Sequence, residues 1–581
     1  MSPSNTASLI ETARGDAPAD LVLTNCRVVN VFSLTIDQAN IAIRNGRIAG
    51  IGPYTNAHHT IDLKGSFVAP GFIDAHMHVE STFLPPSQFV QLAVPRGTTG
   101  AVFDPHEIAN VMGIAGIRFV MHDCIGLPFS AMFALSSCVP ASHLETSGAR
   151  LSASDLAPLF EEPGVVALAE MMNFPGVVAA DQEVLAKIAL GLRRHVVDGH
   201  APGLRGQRLQ AYAAAGISSD HECTTADEAR EKLALGMQIF IREGSAARNL
   251  EALVPLITDR TWTRFCFCTD DRHPADLAAY EGGHIDHVVR CAIRLGVDPL
   301  LAIAIGSCNV ARHYCRDDLG AIAPGRLANL IVFDDLSDPR PRLVFHQGQL
   351  AASEGRYQGP QRTVDSNAVR STVTLHAALS EQSFEIPAKA GGMLRVIGMD
   401  PHQLTTMQLT MEAKIEPTPR GNVAAADPMR DLLKLAVIER HRGTGNIGLG
   451  FVHGFKLSRG AIASTVGHDS HNLAVVGVND RDMLAAARAL EEVGGGQCAV
   501  ENGRVLAMLP LRIGGLMSDQ PAHTVMAQQA ALLKATHDLG CPHHDPFMPL
   551  SFLPLPVIPR LKLTDKGLVD VDRFELVDLW L

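Results

Sequence analysis

No stretch of this sequence stays apolar for the roughly 18 residues that a membrane-spanning helix needs, so none is expected. Positive charge is also scarce. Lys and Arg number 49 against 61 Asp and Glu, a net charge of -12. Phosphate backbones are bound by basic faces, so a nucleic-acid partner is not expected. The N-terminal "MSPSNTASLIETARGDAPAD" is polar and acidic and has no charged segment followed by an apolar one. A secretory signal is therefore not expected. The 11 cysteines are scattered, odd in number and without a CxxC pair. Free thiols in a reducing cytoplasm are the simplest account.

What is present is ample material for packing. Hydrophobic residues make up 46% of 581 positions and charged ones 19%. A chain this long exceeds one core, and two to four domains are expected. Residues 20–68 read as short strands, with Asn45-Gly46 as a hairpin turn. From Pro70 the pattern changes to apolar runs alternating with helical stretches, such as 181–194 and 225–235. Eight such runs are found: "FIDAHMH", "TTGAVFDPHE", "FSAMFALSSCV", "VVALAEMM", "HVVDGHA", "GISSDHE", "MQIFIREGS" and "RFCFCTDD". Eight strands alternating with helices predict an α/β fold with a (β/α)8 TIM-type barrel; a doubly wound sheet is the alternative. Strand-like segments at 319–335 and 342–356 are expected to pair with the N-terminal strands. The expected organisation is 1–69 and 319–368 as two parts of a small β-sandwich domain, 70–318 as the inserted barrel, and 369–581 as a C-terminal α+β domain.

The polar residues fall where such a barrel builds its site, at the C-terminal ends of the strands. In "PGFIDAHMHVEST" (70–82), His76 and His78 are two apart and share one face of a strand. Neutral imidazole is the commonest metal ligand. Strand two ends in "DPHE" with His106, strand four in Glu170, strand five in "DGH" with His200, strand six in "SDHE" with His221, and strand eight in "CTDD" with Asp270 and Asp271. A lone strand-end His or Asp is usually solvated or caps a helix. Together they point to one rim that holds metal.

This set resembles the amidohydrolase superfamily. The motifs "PGFIDAHMHVEST", "DPHEIANVMG", "DGHAPG", "SDHECTT", "CTDDRHP" and "GHDSHN" look, within it, like the adenine deaminase family with an extra C-terminal domain. The likeness runs from about residue 20 to the end, including "GTGNIGLGFVHGF" (443–455) and "LPVIPRLKLTDKGLVDV" (555–571). The resemblance implies two divalent metal ions, with His76 and His78 on the first, His200 and His221 on the second, Glu170 bridging and Asp270 at strand eight. The alternation Cys266, Cys268, Asp270 favours Asp270 over Asp271. Imidazole and carboxylate without thiolate suit Mn(II), Fe(II) or Zn(II), and the resemblance points to manganese or ferrous iron. The implied reaction is hydrolysis of adenine to hypoxanthine and ammonia, in purine salvage. Asp270 is expected to shuttle the proton, and His106 or Glu222 to serve the ring nitrogen, with His106 favoured. Asn329 stands where many relatives carry Asp, with little consequence expected.

Other readings are a deaminase of another amino-heterocycle, a cyclic amide hydrolase and a non-catalytic scaffold. Such amide hydrolases often use a strand-four lysine, against which Glu170 argues, and every expected ligand is present, against a scaffold. In "IASTVGHDSHNLAVVGV" (462–478), His468, Asp469, His471 and Asn472 occupy a polar turn between apolar runs. The expectation is that this turn caps the barrel mouth and contacts substrate; a self-satisfied turn in a separate domain is the alternative. A purine substrate and a homo-oligomer are the expected partners.

Overall fold

The computed structural model describes residues 2–193, 196–245, 247–389, 391–400 and 405–581. The chain opens with a helix, Pro3–Arg14, that the polar N-terminus did not announce. Ser2 caps it, Gly15 ends it in the left-handed region, and Leu9 is buried. The N-terminal strands and those at 330–357 form one nine-stranded sheet. Strand Phe67–Pro70 lies at its middle, parallel to Ala19–Asn30 and antiparallel to Leu330–Phe333. The chain thus leaves this sheet at Pro70 and rejoins it beside the same strand. Asn329 ties the join, donating from Nδ2 to Ser130 Oγ (2.9 Å) and accepting from Gln347 N (2.9 Å).

Between those points the eight expected runs form eight parallel strands: β1 (Phe72–Met77), β2 (Thr98–Phe103), β3 (Ser130–Leu135), β4 (Val165–Met171), β5 (Val196–Gly199), β6 (Ser219–Asp220), β7 (Gln238–Arg242) and β8 (Phe265–Cys268). β1 to β5 make one arc and β6 to β8 another. Ser218 N donates to Val197 O across the first seam. At the second seam Asp270 N donates to His76 O (3.0 Å) and His78 N to Asp270 O (3.2 Å). Asp74 reinforces that closure: its carboxylate accepts from Thr269 N and Oγ1 and lies 3.0 Å from His284 Nε2. The barrel strands are buried on both faces, as parallel strands flanked by helices are.

The helix expected at 181–194 spans Gln182–Leu192, with Asp181 capping Glu183 and Val184; Arg194 and His195 lie outside the described residues. The helix expected at 225–235 spans Ala226–Ala234 behind a Thr225 cap. Its Lys232 is fully buried and pairs with Asp220 (3.0 Å) and Glu228 (2.8 Å). Asp220 also accepts from Ala201 N and Glu222 N, so this buried pair fixes the "SDHE" turn.

The C-terminal region is α+β. An eight-stranded sheet carries the helix Asp480–Val493, whose Met483, Ala486, Ala487 and Leu490 pack into the core. Its segments grip the barrel mouth. Ser518 N donates to Phe83 O, Thr146 N to Asp565 Oδ1, and Thr564 Oγ1 to Leu144 O. No helix among the described residues is long and apolar enough to cross a membrane.

Candidate metal centre

The side chains from β1, β4, β5, β6 and β8 converge at one end of the barrel around Glu170, which is 3% exposed. Its two oxygens face different partners. Oε1 lies 3.3 Å from His78 Nε2 and 4.0 Å from His76 Nε2; Oε2 lies 2.6 Å from His200 Nδ1 and 3.1 Å from His221 Nε2. Asp270 Oδ1 completes the first group, 3.1 Å from His78 Nε2 and 3.7 Å from His76 Nε2. The His76 and His221 rings stack at 4.3 Å, so the two groups adjoin. Asp271 instead accepts from Ser81 Oγ.

Glu222 Oε1 is 3.4 Å from His221 Nε2 and 3.8 Å from His200 Nδ1, on the second group's side. His106 presents Nδ1 to Glu170 Oε1 (3.2 Å) and Asp104 Oδ2 (3.3 Å), and Nε2 to Glu107 Oε1 (3.3 Å). His106 is also the first residue of a seven-residue helix, His106–Met112, behind Pro105. The 467–472 turn reaches the barrel here. His468 Nδ1 is 2.6 Å from Glu107 Oε1, His471 Nε2 contacts Glu107 Oε2, and Asp469 Oδ1 is 3.8 Å from His106 Nε2. Asn472 instead binds Thr146 O.

Two participants escaped the sequence reading. Arg242, at the end of β7, donates from Nη1 to both Glu222 and Asp270. Its signal was a lone cation inside the apolar run "MQIFIREGS". Glu107, inside "DPHE", is the node between barrel and turn, and no spacing in the sequence marks it.

Electrostatics follow from burial and crowding. Burial, then His221 and His78, holds the His76 imidazole well below its ordinary value. Burial opposes charge on His78, but the Asp270 and Glu170 carboxylates outweigh it and raise His78. Burial likewise works against the Glu170 and Asp270 carboxylates. His200 and the other histidines hold Glu170 well below the usual range, and Arg242 followed by His78 does so for Asp270.

The donor chemistry fits divalent metal ions. Three-residue sets such as His76–His78–Asp270, His76–Glu170–His221 and His200–His221–Glu222 bring ligand atoms within 4.8 Å of one another. His76 Nε2 is buried without a hydrogen-bond partner, which is costly unless something else meets it. Phe552 stacks on His468 with ring centroids 4.3 Å apart and lines a small cavity with Arg242, Thr269, Asp270 and Asp271.

Residues 67–364 match the amidohydrolase family and residues 404–575 the adenine deaminase C-terminal domain. An adenine deaminase of Desulfatibacillum aliphaticivorans is 48% identical over 98% of this chain and 99% of its own length. The chain belongs to the adenine deaminase family. Adenine deaminase 2 of Carboxydothermus hydrogenoformans is 46% identical over 98% of both chains. Family membership makes the chain a metal-dependent hydrolase acting on carbon–nitrogen bonds.

Proposed function

We infer that the chain deaminates adenine, replacing the C6 amine by oxygen to give hypoxanthine and ammonia, at a centre that holds two divalent ions. The observation that carries this reading is the division of Glu170 between two donor groups, His76 and His78 on one oxygen, with Asp270 beside those histidines, and His200 and His221 on the other. His76, His78, Glu170, His200, His221 and Asp270 would hold the ions, which would supply Lewis-acid activation of water at neutral pH. Mn(II) is the proposed ion, with Fe(II) and Zn(II) suited to the same donors.

The chain's own residues do the rest. Asp270 Oδ1 takes the proton released as C6 becomes tetrahedral and delivers it to the departing amine. Arg242 binds Oδ2 and keeps Oδ1 turned to the centre. Glu222 is the better candidate for the purine ring nitrogen. Both nitrogens of His106 face carboxylates; Glu222, whose two oxygens accept from Arg242, borders the second donor group. The 467–472 turn and Phe552 exclude water from above, which strengthens each electrostatic contact. The compartment we propose is the cytoplasm, and the assembly a homo-oligomer.

The test is ammonia release from adenine, guanine, cytosine and adenosine, with metal measured on the same samples. Adenine should be turned over fastest, and chelation should abolish the rate until Mn(II) is restored. Glu170→Gln should lose two equivalents of metal per chain together with its rate. Loss of a single equivalent would make the centre mononuclear, and preference for another substrate would move the chain to another deamination.

A further inference from the structure

The loop after β3 and the C-terminal region enclose a cavity of about 270 Å³ that the proposed reaction does not use. Roughly 10–15 Å³ admits one water, so this space takes a small solute. Arg150 lines it on the barrel side, and Arg442 and Lys566 on the C-terminal side. Glu145, Thr146 and Ser147 lie in the same wall. A cleft lined by one sign of charge concentrates ions of the other.

The chain has a net charge of -12, so acids that could pair with these cations are plentiful. None does so. Among the described residues, neither the Arg150 nor the Arg442 guanidinium makes an ion pair or a hydrogen bond. Lys566 Nζ donates to a carbonyl, His143 O (2.8 Å), and to no carboxylate among the described residues. The two acids close by are otherwise engaged. Asp565 accepts from Thr146 N (2.9 Å) and Asn446 Nδ2 (3.4 Å). Glu145 is buried and accepts from Ser142 Oγ (3.2 Å). Burial, with Asp469 adding to it, pushes the Glu145 carboxyl up to about 8. At neutral pH Glu145 therefore carries a proton and repels no anion. Guanidiniums present a fork of donors that matches a phosphate, and an ammonium adds a compact charge.

We propose that this cavity binds a phosphate-bearing anion, held by Arg150 on one side and by Arg442 and Lys566 on the other, across the seam between the barrel and the C-terminal region. Its walls lead to the centre. Thr146 O accepts from Asn472 Nδ2 (2.8 Å), at the end of the 467–472 turn. Ser147 Oγ donates to Asn110 O (2.7 Å), in the helix that carries His106 and Glu107. A phosphate between the three cations draws the two sides together and steadies the turn over the barrel mouth. Because it binds the folded chain, it also raises stability by mass action.

The test reads binding rather than rate. The full metal-loaded chain is titrated in a calorimeter at neutral pH with inorganic phosphate and with ribose 5-phosphate, at an ionic strength fixed by KCl. One ligand per chain is expected, with a rise in melting temperature that the same ionic strength of chloride does not give. Arg150 and Arg442 are exposed, so Arg150→Gln and Arg442→Gln should leave folding and metal content unchanged. Each should weaken binding at least about tenfold, the worth of one hydrogen bond to a charged group, and the two together should abolish it. Tighter binding of ribose 5-phosphate makes the occupant a phosphate ester, and tighter binding of inorganic phosphate makes it the free ion; either supports the proposal. Absence of binding by both at millimolar concentration would overturn it. Binding that persists in the double variant would overturn it too, placing the phosphate on the metal centre instead. Neither result bears on the proposed reaction, which ammonia release tests separately.

Discussion

Asp270 sits at φ 57°, a left-handed backbone that side-chain-bearing residues seldom adopt. That turn lets its main chain bond to both His76 and His78 while its carboxylate divides between His78 and Arg242. Asp270→Asn preserves the shape and removes the base, so turnover should fall at least about a hundredfold with the fold intact by circular dichroism. Near-normal turnover would transfer the proton step to Asp271 or Glu222. A second residue sets a pH response far from the centre. Burial pushes the His346 imidazole down to about 4, beside Ser130 Oγ. The unfolded chain takes up that proton near pH 6.5. Between these values the unfolded state holds the proton and the folded state does not, so stability falls as pH drops from about 6.5 to about 4, by at most about 3 kcal/mol. His346→Gln should flatten that part of the curve in urea unfolding, and an unchanged slope would assign the acid sensitivity elsewhere. At this scale the convergence of His76, His78, Glu170, His200, His221 and Asp270 was legible because spacing two on a strand and position at a strand end can be read from letters. Arg242 and Glu107 were not, since what matters for each is a partner 20 or more residues away.

At the scale of elements, the turns after the strands do the positioning, and each is anchored by a polar group beneath it. Lys232 under "SDHE" is the clearest case. Lys232→Met strands Asp220 and Glu228 without their cation, and removing one partner of a buried pair costs about 3–5 kcal/mol. A large drop in melting temperature is expected, and a shift of a degree or two would show the pair to be dispensable. The 467–472 turn behaves differently because it faces the centre. His471→Ala leaves Glu107 Oε2 and Gly467 N without their partner. kcat/KM per folded molecule should fall at least about tenfold, the lower range for lost polar positioning, with a modest loss of stability. Unchanged kinetics with lowered stability would reduce the turn to a structural one. The eight barrel strands were all readable, because each is a short apolar run closed by turn residues. The N-terminal helix was not. It is short and mostly polar, and it exists by packing Leu9 against the neighbouring sheet and by the Tyr54 hydroxyl bonding to Ala13 O.

In the whole molecule, the C-terminal region is fastened to the loops that follow β1, β3 and β8, two of which follow strands that deliver candidate metal ligands. A chain ending at residue 368 should therefore lose both metal and cooperative unfolding, measured by metal analysis and calorimetry; a truncated chain that keeps stoichiometric metal would make the barrel self-sufficient. Sequence pattern indicated that this region exists but not where it docks, because docking rests on single main-chain bonds such as Ser518 N to Phe83 O that leave no periodic trace. The shared strand at the base has a consequence for synthesis. Phe67–Pro70 waits for Leu330–Phe333, whose first residue is made 260 residues later. A ribosome adding about 5–20 residues per second needs roughly 13–50 s to cover that interval. Throughout it, one flank of an apolar strand remains unpaired, an edge on which other nascent chains can dock.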